Sequence, residues 1–314
     1  MSATRRGYLY GACAYTMWGF FPLYFKLLLP SSPLEILAHR VVWSVLFVAL
    51  LLTAMRDWRF LRGLRRRPGT MAGIVVAAAL IGLNWGTYIY GVNSGHVVET
   101  ALGYFINPLV VVLIGVVVLG ERLRRAQWLA VSIGAAAVVV LTADYGRVPY
   151  IALILAFSFA GYGLTKKRLE LPATHGLLVE SAVLALPGIG YLVWLSWSGT
   201  ATFPAVSAGH TALVLASGAL TAIPLLFFAG AANRIPLSGL GILQYIGPTL
   251  QLGIGVLVFH EPMPPARLAG FVLVWLALVV FSVDGIRQAR RPGTPPPSPD
   301  QSRQPDERPT PIRP

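Results

Sequence analysis

The chain has 314 residues, 55% of them hydrophobic and only 12% charged, with a formal net charge of +13. Soluble domains carry about twice that share of charged residues, so a water-soluble enzyme or nucleic-acid-binding domain is set aside, and the apolar runs of ~20 residues that recur along the chain each suffice to span ~30 Å as a helix. The single cysteine, Cys13, permits no intrachain disulfide.

In chain order, the first apolar run covers residues 7–29. It follows only Arg5 and Arg6, contains Trp18, Pro22 and Lys26, and precedes no small-residue cleavage site, so it reads as a retained helix and not a signal peptide. Nine further spans are expected at 34–55, 71–92, 97–119, 126–143, 149–166, 175–197, 209–231, 237–259 and 266–285. If the spans alternate, one membrane side collects Arg56, Arg59, Arg62, Arg65, Arg66 and Arg67, then Arg122, Arg124 and Arg125. The same side collects Lys166, Lys167, Arg168, Arg234, Arg287, Arg290 and Arg291, whereas the other holds little beyond Lys26, Arg147 and Arg267. The positive-inside rule then puts both termini in the cytoplasm. The basic excess is thus a topology signal, not a nucleic-acid footprint. Residues 289–314, proline-rich and polar, are expected to form a disordered cytoplasmic tail because they cannot bury a core.

The stretch FINPLVVVLIGVVVLGERL (105–123) returns 140 residues later as YIGPTLQLGIGVLVFHEPM (245–263), identical at seven of nineteen gapless positions, Pro108/Pro248 and Glu121/Glu261 among them. The same offset pairs Lys26 with Lys166, Asn93 with Asn233 and Asp144 with Asp284. Two five-span halves follow, 1–145 and 146–288, and five being odd, the second enters the membrane with the opposite orientation. The expected fold is therefore an all-α polytopic membrane protein, ten transmembrane helices arranged as two inverted-topology five-helix repeats. Secondary transporters commonly use this plan, with the binding site at the repeat interface. Pro108 and Pro248 each remove a backbone donor and free a carbonyl one turn earlier, at Tyr104 or Gln244. Such backbone is tolerated at membrane depth beside protein or a water-filled cavity, so the two prolines mark either a cavity wall or a packing kink. Glu121 and Glu261 end helices whose dipoles disfavour a carboxylate, and each is expected to meet an arginine or a helix start in a structural role.

The ten-span plan with its terminal glutamates resembles the EamA family of the drug/metabolite transporter superfamily. WGFFPLYFKLL (18–28), PLEILAHRVVWS (33–44), LNWGTYIYGVNSGHVVETALGYFINP (83–108) and LQYIGPTLQLGIGVLVFHEP (243–262) are similar to the RarD subgroup of permeases. The resemblance covers about residues 7–287. It implies a cytoplasmic-membrane permease or exporter of small organic compounds, with a central cavity lined by both halves. The subgroup's name is associated with chloramphenicol sensitivity.

Ionisable groups inside spans are costly unless paired or hydrated, which makes them functional candidates. Glu35, His39 and Trp43 share one helix face at four-residue spacing, and Arg40 lies on another. Arg40 calls either for an anionic or zwitterionic ligand or for a structural partner, Glu99 or Glu35; the repeat offset sets Glu180 opposite it. His39 suits proton exchange near neutral pH, or simply a buried hydrogen bond. The candidate cavity residues are Trp18, Trp43, Asn84, Trp85, Tyr88, Tyr104, Pro108, Gln244, Tyr245, Pro248 and Gln251; aromatic walls with few amides suit weakly polar organic ligands, though such side chains also serve as interhelical glue. Tyr24 and Tyr162 are weaker candidates.

The chain carries no HExxH, nucleophile elbow or phosphate-cradling glycine loop, so no enzyme, metal or cofactor is expected. The resulting expectation is a secondary active transporter that exports small organic metabolites or drugs by alternating access, coupled to protons through His39 or a nearby carboxylate. Its partners would be a small organic substrate, the lipid bilayer and protons, with no nucleic acid. Uptake of a small metabolite such as an amino acid, or a non-transporting membrane sensor, are the competing readings.

Overall fold

The computed structural model describes residues 2–64, 68–120, 122–169 and 171–289. Glu121, Arg65–Arg67 and the expected tail from Arg290 onward lie outside them.

All regular structure among the described residues is helical. The elements are α1 (Ala3–Gly19), α2 (Phe21–Leu27), α3 (Pro33–Met55), α4 (Phe60–Leu64), α5 (Pro68–Asn93), α6 (Val97–Leu119) and α7 (Arg125–Tyr145). They continue as α8 (Tyr150–Leu169), α9 (Ala173–Trp197), α10 (Ala208–Ala232), α11 (Leu237–Leu243), α12 (Ile246–Gly253), a π-helical turn (Ile254–Val258) and α13 (Pro265–Ala289). Serine hydroxyls start three of these helices by accepting an otherwise orphaned N–H: Ser2 from Arg5, Ser32 from Glu35 and Ser207 from His210. Pro33 follows Ser32 at the first helical position, where its missing donor costs nothing.

Eight segments are long and apolar enough to cross a membrane, by length and composition. Two of the ten expected spans fall outside that group for readable reasons. The first is split, because Pro22 ends α1 and begins the short α2. The sixth, α8, carries Lys166, Lys167 and Arg168 in its last turn. It nevertheless runs through the bundle interior, packed against both α5 and α6. The ninth span is also broken, at Gln244–Tyr245, four residues before Pro248, and again by the π-helical turn. Pro108, by contrast, lies inside an unbroken α6.

The main helix pairs are α7–α13, α3–α9, α6–α8, α5–α8, α3–α10 and α1–α10, with α12 packed on both α6 and α1. One buried apolar cluster, with Leu102, Phe105, Leu141, Phe271 and Val274, joins α6, α7 and α13. A second, with Phe25, Ile36, Ile89, Leu155 and Val214, joins α2, α3, α5, α8 and α10. Large apolar side chains such as Val117, Val139, Leu186 and Leu276 point outward, which suits a surface facing lipid. Ion pairs close the α7–α13 pair at both ends, Arg124 to Asp284 at 2.5 Å and Arg267 to Asp144 at 2.8 Å.

Candidate functional site

Arg40 sits on α3 roughly 10 Å inside the helix start, at ~1.5 Å per residue, and is only 4% exposed. The expected ion pair with Glu99 or Glu35 is not formed. Instead its Nε donates to the Thr221 hydroxyl of α10 at 2.9 Å. The guanidinium lies 4.2 Å from the ring of Trp85 and 5.5 and 5.6 Å from those of Phe21 and Phe25. The aromatic wall continues from Phe25 to Tyr88 at 5.9 Å and from Tyr88 to Tyr104 at 5.6 Å, with Tyr24 5.3 Å from Phe25. Sequence periodicity brings these groups together because α2, α3 and α5 each turn one aromatic or cationic stripe toward the same volume.

The carboxylates are occupied elsewhere. Glu99 takes two bonds from Arg147, at 3.3 and 2.7 Å, and one from the Ile151 N–H at 3.0 Å. That bonding holds the Arg147 guanidinium, in the loop before α8, above its ordinary pKa. Glu180 accepts from Lys166 at 2.8 Å and from the Tyr162 hydroxyl at 3.0 Å, so it is far from being Arg40's counterpart in space. Glu261 meets a helix start, accepting the Val97 and Val98 N–H groups of α6 at 2.6 and 2.8 Å. Burial outweighs those two bonds and raises its carboxyl above the ordinary value. Its repeat counterpart, Glu121, lies outside the described residues.

Glu35 and His39 form a separate cluster nearer the start of α3. Glu35 accepts the backbone N–H of Thr202 at 2.8 Å and of Phe203 at 3.3 Å, clasping the segment between α9 and α10. The His39 ring rests on Phe203 at 4.7 Å. Both residues border a recess of about 300 Å³ with Ile189, Leu192, Trp197 and Phe203. Trp43 packs on the same Phe203 at 6.3 Å. His210, overlooked in the sequence, sits beside this cluster with its Nε2 3.0 Å from the Ser31 hydroxyl and 3.1 Å from the Leu28 carbonyl. The opposite end of α3 has its own clasp: His175, at the start of α9, meets Asp57 at 2.7 Å and stacks on Phe60 at 3.9 Å.

Several of the expected cavity residues make contacts between helices. Asn84 donates to the Leu155 carbonyl and the Ser158 hydroxyl, and accepts from the Tyr104 hydroxyl at 3.2 Å. Gln251 donates to the Trp18 carbonyl at 3.2 Å. Trp18 itself packs on Tyr15 and Phe228. Tyr245 leans on the α6–α7–α13 cluster, away from Arg40. Gln244 marks the break in the ninth span, Pro248 is buried in α12 and Pro108 is half-buried in α6. Thr221 and Ser217 were missed as site residues although their four-residue spacing in an apolar span is a legible stripe.

The EamA-like transporter family matches residues 5–143. "Protein RarD" of Streptomyces exfoliatus is 56% identical over 91% of each chain. "Uncharacterized transporter YojE" of Bacillus subtilis is 44% identical over 91% of this chain and 97% of its own. "Chloramphenicol-sensitive protein RarD" of Pseudomonas aeruginosa is 30% identical over 93% and 98%. A crystal structure of a protein 20% identical to this chain superposes with a TM-score of 0.57 over 91% of this chain and 99% of the other, a likeness of fold alone.

Proposed function

This chain belongs to the EamA-like transporter family as a RarD-type permease, a multi-pass inner-membrane transporter, and from that premise we propose that it works by alternating access between two inverted five-helix halves, residues 1–145 and 146–288. The observation that carries this reading is how helix neighbours exchange under the 140-residue offset. The first half supplies α1–α2, α3, α5, α6 and α7; the second supplies α8, α9, α10, α11–α12 and α13. Swapping halves turns the packed pair α5–α8 into α10–α1, α6–α8 into α12–α1, and α3–α10 into α9–α5, all of them packed pairs. It leaves α3–α9, α6–α12 and α7–α13 matched with themselves. The offset also pairs Asp144 with Asp284, and each of these aspartates, near one helix end, meets an arginine near the other helix start, Arg267 and Arg124, although the two arginines themselves are three residues out of register. Two halves that can trade roles have two related packings of similar energy, open to opposite sides.

The site between the halves is the Arg40 pocket, with Trp43, Trp85, Tyr88 and Tyr104 as its walls and Thr221 contributed by the second half. Its cargo is a small organic compound and the direction is export. A proton enters at His39, beside Glu35, and biases the two packings. Both termini lie in the cytoplasm, a placement that the basic loops favour.

Metabolite profiling of cells and medium tests the export reading, comparing wild type with an Arg40→Gln variant at matched membrane levels. A compound enriched outside only with wild type supports it, and accumulation inside instead makes the protein an uptake permease. Reconstituted flux of that compound with and without an imposed pH gradient then decides the coupling: a rate indifferent to the gradient removes the proton from the mechanism.

A further inference from the structure

We propose that the compound bound at Arg40 is an organic monoanion, a carboxylate on an apolar or aromatic body, with the guanidinium as its counter-ion; this assignment rests on the transporter reading above. Among the described residues Arg40 is the one lysine or arginine that is buried, and it has no anion. It is 4% exposed, and no carboxylate lies within 4 Å of it among the described residues. Nor can one arrive by a side-chain swing. Each described Asp and Glu is already held by a cation, a histidine or backbone N–H groups, and Glu35, five residues away on the same helix, is committed to Thr202 and Phe203. A buried charge without a partner is expensive, and the Trp85, Phe21 and Phe25 faces offset only part of that cost.

The surrounding polar atoms point to the same ligand chemistry. The Trp43 Nε1 and the Tyr88 hydroxyl are buried with no hydrogen-bond partner among the described residues, and the buried Ser217 hydroxyl has none beyond the neighbouring Tyr24 hydroxyl. Each lies one helical turn from a residue at the guanidinium: Trp43 from Arg40, Tyr88 from Trp85 and Ser217 from Thr221. The indole N–H can only donate, and both hydroxyls can donate. Spare donors one turn away from a cation suit an anion, which takes charge-assisted hydrogen bonds. An ammonium group there would meet the like charge of the guanidinium with no carboxylate among the described residues to offset it. A zwitterion would bring an ammonium with no free carboxylate among the described residues to meet it. The aromatic faces of Phe25, Tyr88 and Tyr104 supply the apolar wall for the rest of the molecule.

The test uses the full chain purified in nanodiscs, reading the thermal midpoint and ligand-quenched tryptophan fluorescence at constant ionic strength. The probes are benzoate, phenylacetate and indole-3-acetate, each beside its amide and its amine analogue, with chloride and inorganic phosphate as small-anion arms. Saturable stabilisation by at least one carboxylate is expected, with its amide about tenfold or more weaker and its amine inert. Arg40→Gln should abolish that response and Arg40→Lys should retain part of it. Equal responses to acid and amide, a preference for the amine, no response to any carboxylate, or an unchanged response in Arg40→Gln would each overturn the assignment. A response to chloride or phosphate matching that of the carboxylates would overturn the organic body. Should Arg40→Gln fail to fold, the acid–amide–amine comparison on wild type still decides. Because binding is read without flux, a carboxylate that binds but never crosses proteoliposomes would sink the transporter reading and leave the anion site standing.

Discussion

Gly218 shows how closely residue identity governs the site. A Cβ there would overlap the Trp43 carbonyl of α3 and stand 2.9 Å from the Ser44 nitrogen, backbone atoms that cannot step aside. Gly218→Ala should therefore wedge α10 from α3 beside Arg40 and cost about 1–3 kcal/mol or more. Gly163→Ala, at a glycine with nothing within 4 Å, should leave the thermal midpoint unchanged or raise it. Equal midpoints for the two variants would mean that α3 and α10 do not cross as described. Thr221→Val is the companion experiment, removing the hydroxyl that accepts from the Arg40 Nε while keeping the shape. A loss of about 1–3 kcal/mol is expected, and a silent variant would mean the guanidinium is held by its aromatic faces alone. Arg40 was legible in the sequence as a charge inside an apolar span. Its partner Thr221 stands on a four-residue stripe with Ser217, but which helix that stripe faces is set by packing, and the Thr221 hydroxyl also donates to the Ser217 carbonyl of its own helix.

Interrupted helices are where sequence periodicity loses resolution. In an unbroken first span the N–H of residue 22 would bond the Trp18 carbonyl; proline supplies none, and the Gln251 side chain fills the vacancy from α12. A double-mutant cycle follows from that geometry. Gln251→Leu should cost about 1 kcal/mol in wild type and markedly less on a Pro22→Ala background, where the backbone donor is restored. Additive effects in thermal or denaturant unfolding would show that Gln251 does not serve this carbonyl. Prolines at 22, 108 and 248 were all visible, but only two of the three accompany a break. The ninth span carries five glycines, at 239, 241, 247, 253 and 255, against two in the fourth, at 103 and 115, and each weakens a helix by ~1 kcal/mol relative to alanine. The outcome is a π-helical turn and His260 at a φ of 54°, a left-handed position that turns Glu261 back onto α6. The α7–α13 pair makes a second prediction at this scale. Arg267 and Asp144 are 13% and 7% exposed, against 41% and 19% for Arg124 and Asp284. Arg267→Gln should accordingly cost about 3 kcal/mol, within the range for breaking a buried pair. Arg124→Gln should cost about 1 kcal/mol or less. The reverse order in an unfolding series would mean that the two ends are not tied as their geometry indicates.

At the scale of the whole molecule, the 140-residue offset carries one end of α3 and α9 onto the other. Glu35 and His175 are repeat counterparts, each in the first turn of its helix. Glu35 holds the segment after α9, and His175 holds Asp57 after α3, so the same pair of helices is clasped twice, once at each end. Arg40 lies between the clasps and is closed to solvent. An exchanger built this way must release one clasp while keeping the other, since releasing both would leave a pore. The single native cysteine makes the expectation easy to measure in a Cys13→Ser background carrying Ser217→Cys, a 2% exposed reporter beside the site. Glu35→Ala should raise labelling by a membrane-impermeant maleimide from the membrane face nearest Glu35 only. His175→Ala should raise it from the opposite face only. Loss of ~2 kcal/mol from one clasp shifts such an equilibrium up to about 30-fold, well within the range of labelling rates. Labelling that rises from both faces, or from neither, would mean that the two ends are not alternatives, and the exchange of halves would then describe the ancestry of the fold without describing its motion.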